Sequence, residues 1–354
     1  MVMFLRFFNI NQPIVIFIGN KNFVKNMKYI KLFNTHNEYE TYIASEDKVL
    51  PNVSLCEDAR DVHYNPWVPP HDYSQDYFTM VVTVGGDIKW SGSTTANTLS
   101  YSKDNGATWS TASSDISLSV NEGDRVLWKG TTTPIVDDDE EIYGIGTFSG
   151  DTDVRYSVEG NAMSLLFGDN FKGQTSLSGK YYAFYDLFSS NKNITSAENL
   201  SLLATTLASC CYSLMFYNCT NLTTAPELPA TTLANQCYRG MFYNCTSLTT
   251  APELPATTLA SNCYRSMFAG CTSLTTAPEL PATTLNNYCY SEMFYNCTRL
   301  NSIKCLATNI SASNCTDNWV SGVAASGTFT KATSMTSWTN GKDGIPSGWD
   351  VVNA

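Results

Sequence analysis

The chain has 354 residues, 43% of them hydrophobic and 12% aromatic, which is enough apolar material for buried cores and too much for a disordered polymer. Its formal charge of −11, without a local Lys/Arg cluster, removes the electrostatic basis for holding a phosphate backbone and argues against nucleic acid as a partner. Of its 12 cysteines, all but Cys56 lie between Cys210 and Cys315 and recur at fixed intervals, unlike the irregular pairs of a small disulfide scaffold.

Residues 1–26, MVMFLRFFNINQPIVIFIGNKNFVKN, open like a signal peptide. Arg6, Asn9, Asn11 and Gln12 split the apolar stretch, the run from Pro13 to Gly19 is too short to span a bilayer, and no small-x-small cleavage site follows. A second Met, Met27, opens MKYIKLFNTH, so the stretch reads as an over-long start or a leader, and no membrane insertion is expected. Residues 27–71 are too few for a large core. Their segments KYIKLFNTHNEYETYIA and LPNVSLCEDARDVHYNP resemble a short leader found ahead of varied domains in Bacteroidales and phage structural-type proteins. That resemblance implies an attachment module through which the chain self-assembles. His36, His63 and His71 lie here with Asp58, Asp61 and Asp72, but no metal-ligand spacing connects them.

Over residues 72–168 the pattern changes to short alternating runs, YFTMVVTVG, DIKWSG, TLSYSKD, ISLSVN and DRVLWKG, separated by Gly and Asn/Asp turns. This is the pattern of a small β-sandwich. Within it, SKDNGATW from Ser102 to Trp109 matches S-x-D-x-G-x-T-W and is similar to the Asp-box of sialidase propellers, a hairpin turn closed by Asp104 and Gly106 with Trp109 packed beneath. Sialidases repeat that box around a propeller and need an arginine cluster, and this chain has neither, so the single copy reads as a turn. The run Asp137 to Glu141 lacks the alternating ligands and glycine of a calcium loop and reads as a solvated acidic loop.

The second half is periodic. Cys219, Cys245, Cys271 and Cys297 sit 26 residues apart, and Cys211, Cys237, Cys263, Cys289 and Cys315 keep the same interval. CTSLTTAPELPATTL runs from Cys245 to Leu259 and again from Cys271 to Leu285, and the stretch from Cys219 to Leu233 differs only at Asn221. A weaker copy, FYDLFSSNKNITSAENLSLLATTL, puts Phe188, Ile194 and Leu200 on the places of Phe216, Leu222 and Leu228. Such a period belongs to solenoids in which each repeat is one coil, because a coil cannot bury its apolar side alone. The expected fold is therefore mixed and mainly β: about five 26-residue coils over residues 181–320, preceded by the sandwich. Each coil should hold a brief strand, as from Leu222 to Leu228 before Pro229. A short helix or turn should follow, since Leu233, Cys237 and Met241 lie four apart. Residues 321–354, with strand and turn character, should cap the last coil.

The string MFYNCTSLTTAPELP resembles the BspA-type leucine-rich repeat, whose units run AF-x-x-C-x-S-L-x-x-hydrophobic, and the longer TTAPELPATTL form is similar to that of gut Bacteroidales and their phages. The likeness covers residues 181–317 and departs from the commoner repeat in its extra residues per coil. It implies a solenoid with one strand per coil and a role in surface adhesion or recognition, with no catalysis and no cofactor.

Within the array, the cysteines read as buried free thiols. Their intervals fit no zinc knuckle, and a five-membered series leaves one thiol unpaired in any disulfide scheme. Glu227, Glu253 and Glu279 recur at one place and form an acidic stripe that a cation or basic partner would favour, although three solvated glutamates need no ligand. Tyr212, Tyr238, Tyr264 and Tyr290, with Tyr217, Tyr243 and Tyr295, are packing or rim residues, or binding anchors if exposed. The stretches SCCYSLM, NQCYRGM, SNCYRSM and NYCYSEM vary where the strand side is fixed. Any ligand choice is therefore expected at Gln236, Arg239, Asn262, Arg265, Tyr288 and Glu292 rather than at the invariant threonines. The sequence reading is a non-catalytic adhesion protein, extracellular or on a cell surface, that binds protein or glycan. The alternative is a phage virion component, a fibre or capsid decoration.

Overall fold

The computed structural model describes four N-terminal strands together with residues 71–93, 98–137 and 142–354. Two compact units result, Met1–Pro69 and Pro70–Ala354. In the first, β1 (Met3–Phe4), β2 (Ile14–Phe17), β3 (Ile30–Phe33) and β4 (Tyr39–Tyr42) pair antiparallel in chain order. The expected boundary at Met27 thus falls between two paired strands, β2 and β3.

The second unit is mainly β, and among the described residues its one α-helix, α1 (Ser164–Phe167), has four residues. Its front part contains β5 (Phe78–Val84), β6 (Gly86–Gly92), β7 (Leu99–Ser102), β8 (Ser110–Ala112), β9 (Asp115–Val120) and β10 (Arg125–Gly130). β11 (Ile135–Asp137), β12 (Ile142–Gly144), β13 (Gly146–Gly150) and β14 (Arg155–Asn161) follow, and β15 (Ile194–Ser201) begins the repeats. One sheet has the order β15-β14-β5-β10-β7-β8, a second β13-β6-β9, and β11 and β12 form a separate hairpin. Alternation aims Ile88 and Trp90 of β6 inward while Lys89 stays exposed. Rings from both sheets meet in the core, where Phe148 lies 4.6 Å from Trp90, 5.0 Å from Trp128 and 5.5 Å from Phe78.

The front part and the repeats share this sheet and this core. β14 pairs antiparallel with β5 on one side and parallel with β15 on the other. It is consequently buried along most of its length, although its sequence, RYSVEGN, is polar. Phe188 of the first coil stacks on Phe148 at 5.8 Å and so continues the front core into the array. The expected division between residues 168 and 181 falls inside one compact unit.

From Phe188 onward, like residues stack on like. Phe188, Phe216, Phe242, Phe268 and Phe294 form a column at centroid spacings of 5.2, 5.6, 5.7 and 5.9 Å. Phe184, Tyr212, Tyr238, Tyr264 and Tyr290 form a second column, and both end on Trp319. Trp319 stacks in turn on Trp338 at 5.5 Å and donates its indole N–H to the Gly344 carbonyl at 2.8 Å. The tail adds β17 (Thr328–Lys331) and β18 (Asp350–Asn353), parallel to β16 (Ser302–Cys305), and all four residues of β18 are exposed.

One expectation for the coil is corrected and one alternative is decided. The strand from Leu222 to Leu228 is reduced to single parallel bridges, Ser196–Thr224 and Thr224–Thr250. Proline is the reason: Pro226 and Pro229 have no N–H to give to the ladder, whereas β15 and β16, whose coils lack the APELP segment, pair over several residues. Of the short helix or turn expected over Leu233, Cys237 and Met241, the chain forms the turn, repeated as a chain of turns. Gln236, Gly240 and Asn244 are left-handed, with φ of 55°, 58° and 57°, and every coil repeats this spacing. The N–H groups of Cys237, Arg239, Met241 and Tyr243 each donate three residues back, at 3.1–3.2 Å. Those between them, on Gln236, Tyr238, Gly240, Phe242 and Asn244, donate to the next coil at 2.7–3.1 Å. An added Cβ at Gly240 would lie 2.6 Å from a methyl of Leu214 in the preceding coil, a flexible end that can move aside, and Leu214, Ser266 and Glu292 hold the same left-handed place in other coils.

Leu248 and Leu274 are wholly buried in this stack. Replacing either with alanine should cost about 2–5 kcal/mol, and the two changes, on adjacent coils, should not add independently. Chemical denaturation of both single variants and the double variant measures this.

Candidate recognition surface

The turn chain places the divergent residues. Gln236, Asn262 and Tyr288 occupy the first left-handed position of successive coils, with φ of 55°, 54° and 54°, and Glu292 occupies the second, with φ of 56°. All six predicted residues are half-buried. They meet one another within and across coils. Arg239 donates to the Gln236 side-chain carbonyl at 3.2 Å. Arg265 lies 3.9 Å from the Glu292 carboxylate and 5.8 Å from the centre of the Tyr288 ring, while Ser266 donates to the same carboxylate at 2.8 Å. Asn262 donates to Ser261 at 3.1 Å. An exposed pair of this kind contributes under about 1 kcal/mol to stability, so the fold does not require these charges.

The row extends further than the sequence reading carried it. Asp317 follows Ser291 by one period, and Lys342 lies 3.9 Å from Asp317 and 3.0 Å from Asp343. The available signal was the 26-residue offset itself, continued into the tail. Glu227, Glu253 and Glu279 are exposed, and Glu279 pairs with Lys304 at 2.8 Å, so the acidic stripe ends on a lysine. Tyr212, Tyr238, Tyr264 and Tyr290 are buried in their column, whereas Tyr217 and Tyr243 are half-buried and stacked at 5.0 Å and Tyr295 is exposed.

The eleven described cysteines are free and buried. Those of one series share a bond: the thiols of Cys219, Cys245, Cys271 and Cys297 donate to the carbonyls of Phe188, Phe216, Phe242 and Phe268 in the preceding coil at 2.9–3.1 Å. Burial raises these thiols above their usual range, Cys237, Cys289, Cys297 and Cys305 to about 12. No group of three or more His, Cys, Asp or Glu among the described residues is placed to hold a metal ion.

In the front part, Asp104 closes the hairpin between β7 and β8. It accepts from the Thr108 N–H at 2.9 Å and the Thr108 hydroxyl at 2.6 Å, and these bonds hold its carboxyl down to about 2. Ser102 donates to Asp104 at 2.7 Å and accepts from the Gly106 N–H at 2.8 Å. Trp109 packs edge-on against Tyr77 at 5.0 Å, beneath the Lys129 ammonium at 4.1 Å. The residues of this turn therefore engage one another. His71 pairs with Asp76, which raises its pKa, while Asp72 accepts from the Ser74 N–H at 3.0 Å. His36, His63 and most of the acidic run, residues 138–141, lie outside the described residues.

Asp186 stands where β13 meets the first coil: its carbonyl accepts from Thr147 at 3.2 Å. One of its carboxylate oxygens is buried with no partner among the described residues, and burial pushes the carboxyl up to about 6 against a hydrogen bond from Ser189. No helix among the described residues is long and apolar enough to cross a membrane. Comparison with known protein families, with curated proteins and with solved structures yields no match.

Two outcomes follow from these environments. The buried thiols should resist an aromatic disulfide reagent at pH 8 and react together as the chain unfolds, which thiol titration against denaturant follows. Asp186 favours the folded state fully below pH 3.8, and this contribution is lost as pH rises through about 6, because the native state holds the proton more tightly than the unfolded chain. Asp186→Asn should therefore raise the unfolding midpoint at pH 7.5 more than at pH 4, as seen in thermal scans at the two pH values.

Proposed function

We propose that residues 181–320 form a leucine-rich-repeat solenoid of the BspA type behind a β-sandwich, and that the protein is a non-catalytic recognition protein. In this reading the solenoid presents its divergent edge to a protein or glycan on a cell surface, the N-terminal segment attaches or assembles the chain, and the protein works outside the cell. One observation carries it. The residues that differ among otherwise copied coils, Gln236, Arg239, Asn262, Arg265, Tyr288 and Glu292, recur along the same turns, where Arg239 bonds Gln236 and Arg265 meets Glu292 and Tyr288. Planar guanidinium and amide groups beside an aromatic ring are the chemistry from which binding hot spots are made. No catalytic step is proposed.

A second reading, a component of a virus particle, draws support from the thiols. Eleven buried cysteines held as thiols suit a chain that folds in a reducing compartment and is released by lysis rather than by export.

Fluorescently labelled full-length protein titrated onto whole cells, bacterial and epithelial, tests the recognition reading. Saturable labelling is expected, weakened by about tenfold or more in the Arg239→Ala/Arg265→Ala variant, whose unfolding midpoint should stay unchanged. Labelling that does not saturate, or that the variant leaves intact, contradicts the assignment of the edge.

A further inference from the structure

Threonine pairs recur at residues 205–206, 231–232, 257–258 and 283–284, and all eight are exposed. Core packing does not require an exposed residue to be copied, and the residues that follow, ASCCYS, ANQCYR, ASNCYR and NNYCYS, have diverged in the same coils. Parallel bridges join Thr206 to Thr232 and Thr232 to Thr258, a rung spacing of about 4.8 Å, and the series is interrupted between Thr258 and Thr284 before Thr284 bridges Asn309. At the ends of the row the hydroxyls turn back on the protein, Thr205 onto the Thr175 carbonyl at 3.4 Å and Thr308 onto that of Thr283 at 3.2 Å. Those of Thr257, Thr258 and Thr284 have no partner among the described residues.

An open groove lies at this point. Thr257, Thr258 and Leu259 form one bank and Thr283, Thr284 and Asn286 the other, around a volume of about 360 Å³. Asn286 takes the place that alanine holds in the preceding coils and ties the two banks together by donating to the Leu259 carbonyl at 3.0 Å. No charged side chain lines the groove. It offers hydroxyls that both donate and accept, with threonine methyls and leucine beside them. A charged ligand would lose hydration here without gaining a counter-charge.

We propose that this groove and the threonine rows that continue it bind a neutral polysaccharide laid along the stack, one sugar to a coil. The rung spacing is close to the length of one pyranose residue in an extended, equatorially linked chain. Hydroxyls and ring C–H groups of such a polymer meet threonine hydroxyls and methyls at each step. Copied coils then act as copied subsites, each weak, and affinity grows with the number engaged. The proposal rests on the recognition reading but moves the contact from the divergent edge to the invariant threonines.

Affinity electrophoresis of the full chain in gels containing soluble β-glucan, mannan or arabinoxylan tests it, followed by calorimetry with the matching disaccharide and hexasaccharide. Retardation is expected in at least one gel, with the hexasaccharide binding about tenfold or more tighter than the disaccharide. Thr258→Val/Thr284→Val should weaken binding by about tenfold or more at an unchanged unfolding midpoint, while Lys103→Ala, on the exposed surface of the front part, leaves it intact. No retardation in any gel, or retardation that the threonine variant keeps, overturns the proposal. Loss in the Arg239→Ala/Arg265→Ala variant alone overturns it as well and returns the contact to the edge. Cell labelling that persists without any polysaccharide binding points to a protein partner, which overturns the groove and leaves the recognition reading standing.

Discussion

Hydrogen bonds handed from each coil to the next are what the repeat region depends on. In the turn chain every second N–H leaves its own coil for the neighbour, and the alternate ones close turns within it. Both sets form only if the left-handed residues recur in register, because one displaced turn would leave N–H groups of two coils without acceptors in a buried place. The copied letters of the sequence are therefore a backbone requirement as much as a side-chain one. After the first coil, where Ser190 takes it, Asn and Gly hold the third left-handed position, as Asn218, Asn244, Gly270, Asn296 and Gly322, because these residues tolerate that conformation at least cost.

The cysteines fit the same account. Each thiol of the first series donates to a phenylalanine carbonyl that already accepts a turn N–H; the Phe216 carbonyl, for example, takes the Cys219 N–H at 3.1 Å and the Cys245 thiol at 3.1 Å. Cysteine suits this place, being small, apolar enough to be buried and able to give one weak hydrogen bond. A serine would bring a stronger donor at a larger desolvation cost, and a valine would leave the second lone pair of the carbonyl bare.

Much of this was legible in the sequence, and the misses have identifiable physical causes. The recurrence of phenylalanine, cysteine and leucine at one interval gave the repeats, and alternation around Trp90 gave the front strands. A four-residue spacing from Leu233 to Cys245 is shared by a helix and by a chain of turns. An α-helix, however, drifts about 40° at each such step, and the strict period together with Asn244 and Gly270 favours turns. The shortening of the strands was written in Pro226 and Pro229. Nothing local announced that β14 would pair with β15, since that contact joins segments more than thirty residues apart whose patterns differ. The pairing of Arg265 with Glu292 was hidden in the same way, because the two residues meet only once the coil offset has been laid out in space.

The first coil is fastened to β14 and the last is closed by Trp319, and each end meets the array through the coil next to it. Inserting or removing one 26-residue unit therefore exchanges like neighbours for like neighbours, and the span between the two ends changes by one rung, about 4.8 Å. Length in this protein is an inherited integer. Lineages can differ in reach without any change in the shape or chemistry of either terminus.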